Sequence, residues 1–180
     1  MSHFTSPLTD TATTDAVQRF RLGMRRHASG VSLITTQLGN VKAGLIATSV
    51  SSVCMDPPTL LVCVNRSSSA HDPLNQVGKF CVNLLDAHAS DIASQFSNPE
   101  RRQERFHASE WFTLQSSAPV LHSAIAAFDC SVVERLAYHS HTIFIGRVHR
   151  VHLGTEEFAP LIYMDGRYWH LSDLAGGMHR

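Results

Sequence analysis

Three apolar runs between Gly44 and Leu85 constrain the fold more than any other feature of the chain. They read G-L-I-A-T-S-V-S-S-V-C (44–54), T-L-L-V-C-V-N (59–65) and G-K-F-C-V-N-L-L (78–85). Met55-Asp56-Pro57-Pro58 must separate the first two, because proline cannot donate to a ladder and drives the residue before it into an extended shape. The first run carries its own break or bulge around Ala47, Thr48 and Ser49. The second ends in a hydroxyl-rich loop, Asn65-Arg66-Ser67-Ser68-Ser69. A barrel strand that lays backbone amides and hydroxyls against a flat polar ligand has this form.

The rest of the chain supplies more strands and a few helices. A helix is expected from Thr14 or Asp15, either of which can cap it, with Val17, Phe20 and Met24 at helical spacing. Val31–Thr36 reads as a strand, followed by a turn at Gly39-Asn40. Thr59–Val64 is a strand buried on both sides or lining a barrel. His71–Val77 is a short helix with Pro73 in its first turn. Ala89, Ile92, Ala93 and Phe96 define an amphipathic helix, and Pro99–Phe106 a charged surface helix or lid. Trp111–Pro119 reads as loop. Long strands are expected over 120–136 and 141–151, and a hairpin around Asp165-Gly166. No regular strand–helix–strand repeat and no G-x-G-x-x-G after a strand is present, so a doubly wound parallel sheet and a Rossmann site are set aside. The expectation is a mainly β, antiparallel barrel with peripheral helices over residues 14–172, between flexible tails at 1–13 and 173–180.

Composition narrows the function. With 180 residues, 43% hydrophobic, one globular domain is expected. Fifteen Lys+Arg balance fifteen Asp+Glu, so no overall field draws the chain to nucleic acid or an anionic membrane. Cys54, Cys63, Cys81 and Cys130 lie in apolar runs without a C-x-x-C pair, and read as buried, reduced thiols of a cytoplasmic protein. His139, His141, His149 and His152 lie near one another, but no acid stands at ligand spacing, so no metal is expected. No G-x-S-x-G elbow and no cysteine–histidine pair suggests nucleophilic catalysis. What remains are the two serine-rich segments. Taken alone they suit outward strand positions and a solvated loop; taken together they suit a ligand with a heterocycle and phosphates, which loop amides, hydroxyls and Arg66 could hold.

Many short motifs, in order over about residues 16–171, resemble the short-chain flavin reductase family, the reductase components of two-component flavin monooxygenases. They include G-V-S-L-I-T-T (30–36), G-L-I-A-T-S-V-S-S-V (44–53), D-P-P-T-L-L-V-C-V-N (56–65), A-x-F-D-C-x-V (126–132), H-T-I-F-I-G-R-V (141–148) and P-L-I-Y-x-x-G-x-Y (160–168). The 44–53 and 60–65 stretches are most similar to the reductase partner of 4-hydroxyphenylacetate 3-monooxygenase.

The resemblance implies an FMN-binding type of split β-barrel, a homodimer that reduces FMN or FAD with NADH or NADPH and releases it to a separate monooxygenase acting on an aromatic substrate. It implies that Ile46, Ala47, Thr48, Ser49 and Val50 run along the isoalloxazine edge, continued by Ser52 and Val53. Asn65, Ser67, Ser68 and Ser69 take the ribityl-phosphate end, with Phe80 and Asn83 beside it. His141 lies at the face where nicotinamide stacks, as the catalytic residue, and Tyr168 helps to hold that nucleotide. Many members carry Gly-Asp-His where this chain has His139-Ser140-His141, which leaves the choice of NADH or NADPH open. The alternatives are a non-catalytic flavin- or haem-binding split barrel and a pyridoxamine-phosphate type of oxidase. The latter would want a more basic phosphate cage than Arg66 and three serines supply.

Overall fold

The β-branched runs become strands, and the strands close on one another. The computed structural model describes residues 10–107 and 110–171, with side chains from residue 14 onward; most of both expected tails lies outside these residues. In chain order the elements are α1 (Asp10–Arg25), β1 (Ser29–Gly30), β2 (Ser32–Leu38), β3 (Val41–Ala47), β4 (Val50–Met55), β5 (Pro58–Asn65), α2 (His71–Val77), β6 (Lys79–Leu84) and α3 (Ser90–Ser97). A 3-10 turn (Pro99–Glu104) leads to β7 (Trp111–Thr113), β8 (Pro119–Leu121), β9 (Ala126–Tyr138), β10 (His141–Leu153), β11 (Leu161–Met164) and β12 (Arg167–His170). Seven strands form one antiparallel sheet in the order β3-β2-β6-β9-β10-β5-β4. Its two edge strands, β3 and β4, are consecutive in the chain and joined only by Thr48-Ser49, so the sheet is a barrel split at that point. β7 pairs β8, and β1, β11 and β12 make a small third sheet.

The antiparallel split barrel is the expected fold class, with differences in detail. β5 alternates half-buried and buried positions between exposed ends, so it lines the barrel with Leu60, Val62 and Val64. The segment 111–119 is not all loop: Trp111 opposes Leu121 and Thr113 opposes Pro119 in the β7–β8 pair. The expected strand over 120–136 is accordingly two strands, parted at 122–125. α1 starts at Asp10, ahead of Thr14. Its apolar residues follow the helical period, yet Val17, Phe20 and Met24 all remain exposed on the single chain.

The core has two layers, one on each face of β2 and β6. Inside the barrel lie Ile34, Leu60, Val62, Val64, Phe80, Val82 and Phe144; outside it, α3, β7 and β8 bury Leu33, Leu85, Phe96, Trp111 and Leu121. Gly146 is required by close approach, since a Cβ there would lie 2.5 Å from Phe80 Cζ. Asp129 is fully buried and accepts from Ser116 N–H at 2.8 Å and from the Ser116 hydroxyl. Burial, reinforced by that carboxylate, pushes the Cys81 and Cys130 thiols above their ordinary range. All four cysteines are free, but only Cys81 and Cys130 are buried. Cys63 is half-buried and Cys54 exposed, because β4 is an edge strand with a single partner.

Candidate functional site

The break expected at Ala47–Ser49 is where the barrel splits. The Ser49 hydroxyl donates to Cys63 O at 3.0 Å, and Cys63 N–H donates to Ser49 O at 3.3 Å, which pins the crossing to β5. Ala47 points into the core, Ile46 and Val50 are half-buried, and Thr48, Ser52 and Val53 are exposed. A register shift between Ser52 and Cys54 bulges β4 at Val53. On the side away from their one partner, β3 and β4 present unpaired backbone donors and acceptors, as sheet edges must.

A cavity of about 510 Å³ opens beside this edge, lined among others by Val31, Ile46, Thr48, Tyr163, Arg167 and Tyr168. The two tyrosine rings meet at 5.7 Å and 63°. They stand on the β11–β12 hairpin, whose turn places Asp165 at φ 52° and Gly166 at φ 79°. α1 holds that turn: Asp165 N–H donates to Arg25 O at 2.7 Å, and Arg25 Nε and Nη2 donate to Asp165 Oδ1 and O at 3.1 and 3.0 Å. The Arg167 guanidinium lies 4.0 Å over the Trp169 ring, which fixes a cation at the cavity wall. A second groove of about 560 Å³, between α1 and the hairpin, shares Thr48, Tyr163 and Gly166 with the first.

The serine loop is ordered by its own bonds. Asn65 Oδ1 accepts from Ser67 N–H at 3.0 Å and from the Ser67 hydroxyl at 2.9 Å, and Ser68 Oγ accepts from Ala70 N–H at 3.3 Å. Ser69 instead faces a smaller cavity of about 170 Å³, shared with Lys42, Gly44, Arg102, Arg105 and Phe106. Arg105 is spent on α3, donating to the carbonyls of Gln95, Phe96 and Asn98. Burial, and then Arg102 beside it, lower the Arg105 pKa. Lys42 and Arg102 stay exposed. Gly44 and Ile46 alternate on β3, so one face of that strand links the cationic cavity to the tyrosine-lined one.

His141 is the exposed first residue of β10, opposite Asn65, and its Nδ1 lies 3.0 Å from Ser140 Oγ. The hydroxyl of Ser140 thus partners the His141 ring. Arg66 N–H donates to Ser140 O at 2.8 Å. The structure therefore brings His141 to Asn65 and Arg66, and Tyr168 to Ile46 and Thr48. Among the described residues, the lining of the tyrosine cavity includes neither His141 nor the loop serines.

Phe80 and Asn83, expected beside the flavin, are buried in the single chain. β6 is a central strand covered on both faces, and both residues are 0% exposed. Phe80 fills the barrel against Gly146. Asn83 donates to Leu33 O and Thr35 Oγ1 at 3.1 and 3.2 Å and accepts from Leu121 N–H at 2.8 Å, so its polar atoms are already engaged. Sequence reasoning did not single out Tyr163, Arg167, Lys42 and Arg102, which line these cavities. Only Tyr163 and Arg167 carried a signal, flanking the Asp165-Gly166 turn beside Tyr168.

A flat heterocycle fits this set: an apolar and aromatic wall, an unpaired strand edge for its polar rim, and hydroxyls and cations further along. The chemistry of the residues is therefore compatible with a flavin. The comparisons agree. The family model described as "Flavin reductase like domain" matches residues 24–172. The FMN reductase (NADH) RutF of Methylorubrum populi is 41% identical over 160 residues, covering 89% of this chain and 79% of the relative. RutF of Pseudomonas syringae is 40% identical, covering 84% and 85%. Among solved structures, BorF, the flavin reductase component of a bacterial two-component tryptophan halogenase, superposes with a TM-score of 0.79 at 29% identity, covering 87% of this chain and 99% of BorF. The Streptomyces globisporus NADH:FAD oxidoreductase SgcE6, in complex with NAD and FAD fragments, gives 0.80 at 26% identity, covering 95% and 100%. The chain belongs to the flavin reductase like domain family.

Proposed function

We propose that this protein is a flavin reductase that uses NADH to reduce FMN or FAD and releases the reduced flavin to a separate monooxygenase acting on an aromatic compound. The observation that carries the reading is the unpaired edge at 46–53 set against the cavity of Ile46, Thr48 and Tyr168. The choice of NADH and FMN is supported by relatives of that name at 40% identity or more. When bound, flavin and nicotinamide supply the hydride chemistry themselves. The chain then has to orient the rings and place donors where negative charge grows, and backbone amides of 48–53 are suited to that. Ser67, Ser68 and Ser69 hold the phosphate end, Ser69 with Lys42 and Arg102. His141 and Tyr168 hold the nicotinamide side.

A homodimer belongs to this reading. Val53 and Met55 on β4 and Val133, Leu136 and Tyr138 on β9 are large apolar residues left exposed, Met55 by 86%. A second copy is the cover that suits them, and it is the means by which His141 of one chain could meet the tyrosine cavity of another. No helix among the described residues is long and apolar enough to cross a membrane. A cytoplasmic setting, where NADH is regenerated, fits the role.

The test is NADH oxidation by purified protein with and without added FMN, alongside sedimentation for mass. Oxidation that depends on FMN, from a particle of twice the chain mass, supports the proposal. No oxidation and no FMN-induced rise in melting temperature would overturn it. A bound chromophore that NADH does not bleach would favour the non-catalytic split barrel.

A further inference from the structure

Directly behind the serine loop lies a buried histidine that the proposed site does not use. His71 opens α2 and is 7% exposed, and both its ring nitrogens are engaged. Nδ1 lies 2.8 Å from Asp72 Oδ1, and Nε2 lies 2.9 Å from Thr142 Oγ1, itself on a buried residue. The ring leans on Phe144, 5.8 Å between centroids. An ionised carboxylate only accepts, so Nδ1 carries the hydrogen, and in the neutral ring Nε2 accepts from the Thr142 hydroxyl.

This pair could serve merely to fasten α2 to the barrel. What it fastens is more specific. His71 N–H donates to Ser68 O at 3.0 Å, so the histidine is the far end of the serine loop. Thr142 follows His141 in β10. At the near end of the loop, Asn65 opposes His141, and Arg66 N–H donates to Ser140 O. The loop is thus tied to the start of β10 twice. The Arg66 tie uses backbone and would survive most substitutions. The second depends on the His71 and Thr142 side chains alone.

We infer that His71 is a positioning residue. Through Thr142 it locks the serine loop in register with His141, so that the groups at the phosphate end of the flavin and the group facing the nicotinamide keep a fixed separation. Asp72 holds the imidazole in the tautomer that receives the Thr142 hydroxyl. The inference rests on the flavin reductase reading, which puts the loop and His141 about one ligand.

Three variants test it: His71→Gln, whose amide reaches the place of Nε2, His71→Asn, which reaches only that of Nδ1, and Thr142→Val, which keeps shape and loses the hydroxyl. If the register matters, His71→Asn and Thr142→Val raise the KM for FMN about tenfold and lower kcat with NADH, because small misplacements are costly in a two-ring complex. His71→Gln stays within about threefold of the parent, since second contacts of this kind can be rescued by a matching group. A fastener of purely structural importance would lower the melting temperature of all three and leave KM and kcat unmoved where they are folded; that result overturns the inference. So does equal impairment of His71→Gln and His71→Asn, or a parental KM in Thr142→Val. Failure of the parent protein itself to reduce FMN would instead refute the functional reading, before any variant is compared.

Discussion

Replacing Asn83 by alanine separates a structural role from a ligand-binding one. The side chain is sealed between β2, β6 and β8, and it makes three bonds: to Leu33 O, to Thr35 Oγ1 and from Leu121 N–H. In Asn83→Ala the Leu121 N–H loses its acceptor in a dry setting. An orphaned buried donor costs about 1–3 kcal/mol, and each of the two lost donations about 0.5–1.5 kcal/mol net. The Thr35 hydroxyl keeps Pro119 O and Cys81 O within reach, which limits the loss there. The sum centres on about 3 kcal/mol. For a chain of this length each kcal/mol moves Tm by roughly 2–4 °C, so Tm should fall by roughly 6–12 °C. The assay is thermal unfolding with and without saturating FMN, paired with the KM for FMN in the cold. The variant should melt early, yet FMN should raise its Tm by the same increment as the parent's, and its KM should stay within about twofold, since distant sites act independently. A KM raised about tenfold at an unchanged Tm would refute the reasoning and return Asn83 to the ligand.

Other perturbations probe different parts of the chain. Gly146→Ala puts a Cβ 2.5 Å from Phe80 Cζ and 3.2 Å from Cys130 Cβ, so it should cost about 1–3 kcal/mol in urea unfolding, partly recovered by adding Phe80→Leu. The hydrogen bonds from Arg101 hold the Glu104 and Asp91 carboxyls below their ordinary values, with Gln95 assisting at Asp91. Such depressed groups stabilise the fold above their ordinary pKa values and lose that contribution as pH falls through the lowered ones. The Tm gap between the parent and Arg101→Gln should therefore be small at neutral pH and vanish on acidification; a gap that widens in acid would contradict this. His141→Ala should lower kcat more than flavin affinity, and equal losses would move His141 into flavin binding.

The signals legible in the sequence were local ones. Asp56-Pro57 turns the chain between β4 and β5, Asp165-Gly166 makes a hairpin, and the small residues at 47–49 mark the break that became the split in the barrel. Roles set by distant neighbours were not legible. The run F-C-V-N at 80–83 looks alike whether one face or both are covered, and only the placement of β9 and of the β7–β8 pair decides that Phe80 and Asn83 are sealed. α1 shows the converse: its apolar period is correct, yet among the described residues Val17, Phe20 and Met24 stay exposed. The tyrosine cavity draws Ile46, Ser97 and Arg167 from three separate elements, and no spacing in the sequence unites them.

A site built this way has a consequence for exchange. A deep pocket in the core would be walled by residues such as Phe80 and Leu33, which cannot move without a cavity penalty. Here the wall is a two-stranded hairpin, held to α1 by an Arg25–Asp165 pair whose side chains are 56% and 62% exposed. Exposed pairs of that kind contribute about 0–1 kcal/mol, so the hairpin is anchored chiefly by backbone bonds, from Asp165 N–H to Arg25 O and from Leu161 N–H to Leu85 O, and by the β1–β11 pairing. The other side is a strand edge, which binds through backbone groups without closing over the ligand. In the proposed function a flavin arrives oxidised and departs reduced, which calls for moderate affinity, and an edge, a hairpin and a serine loop on one barrel suit that role.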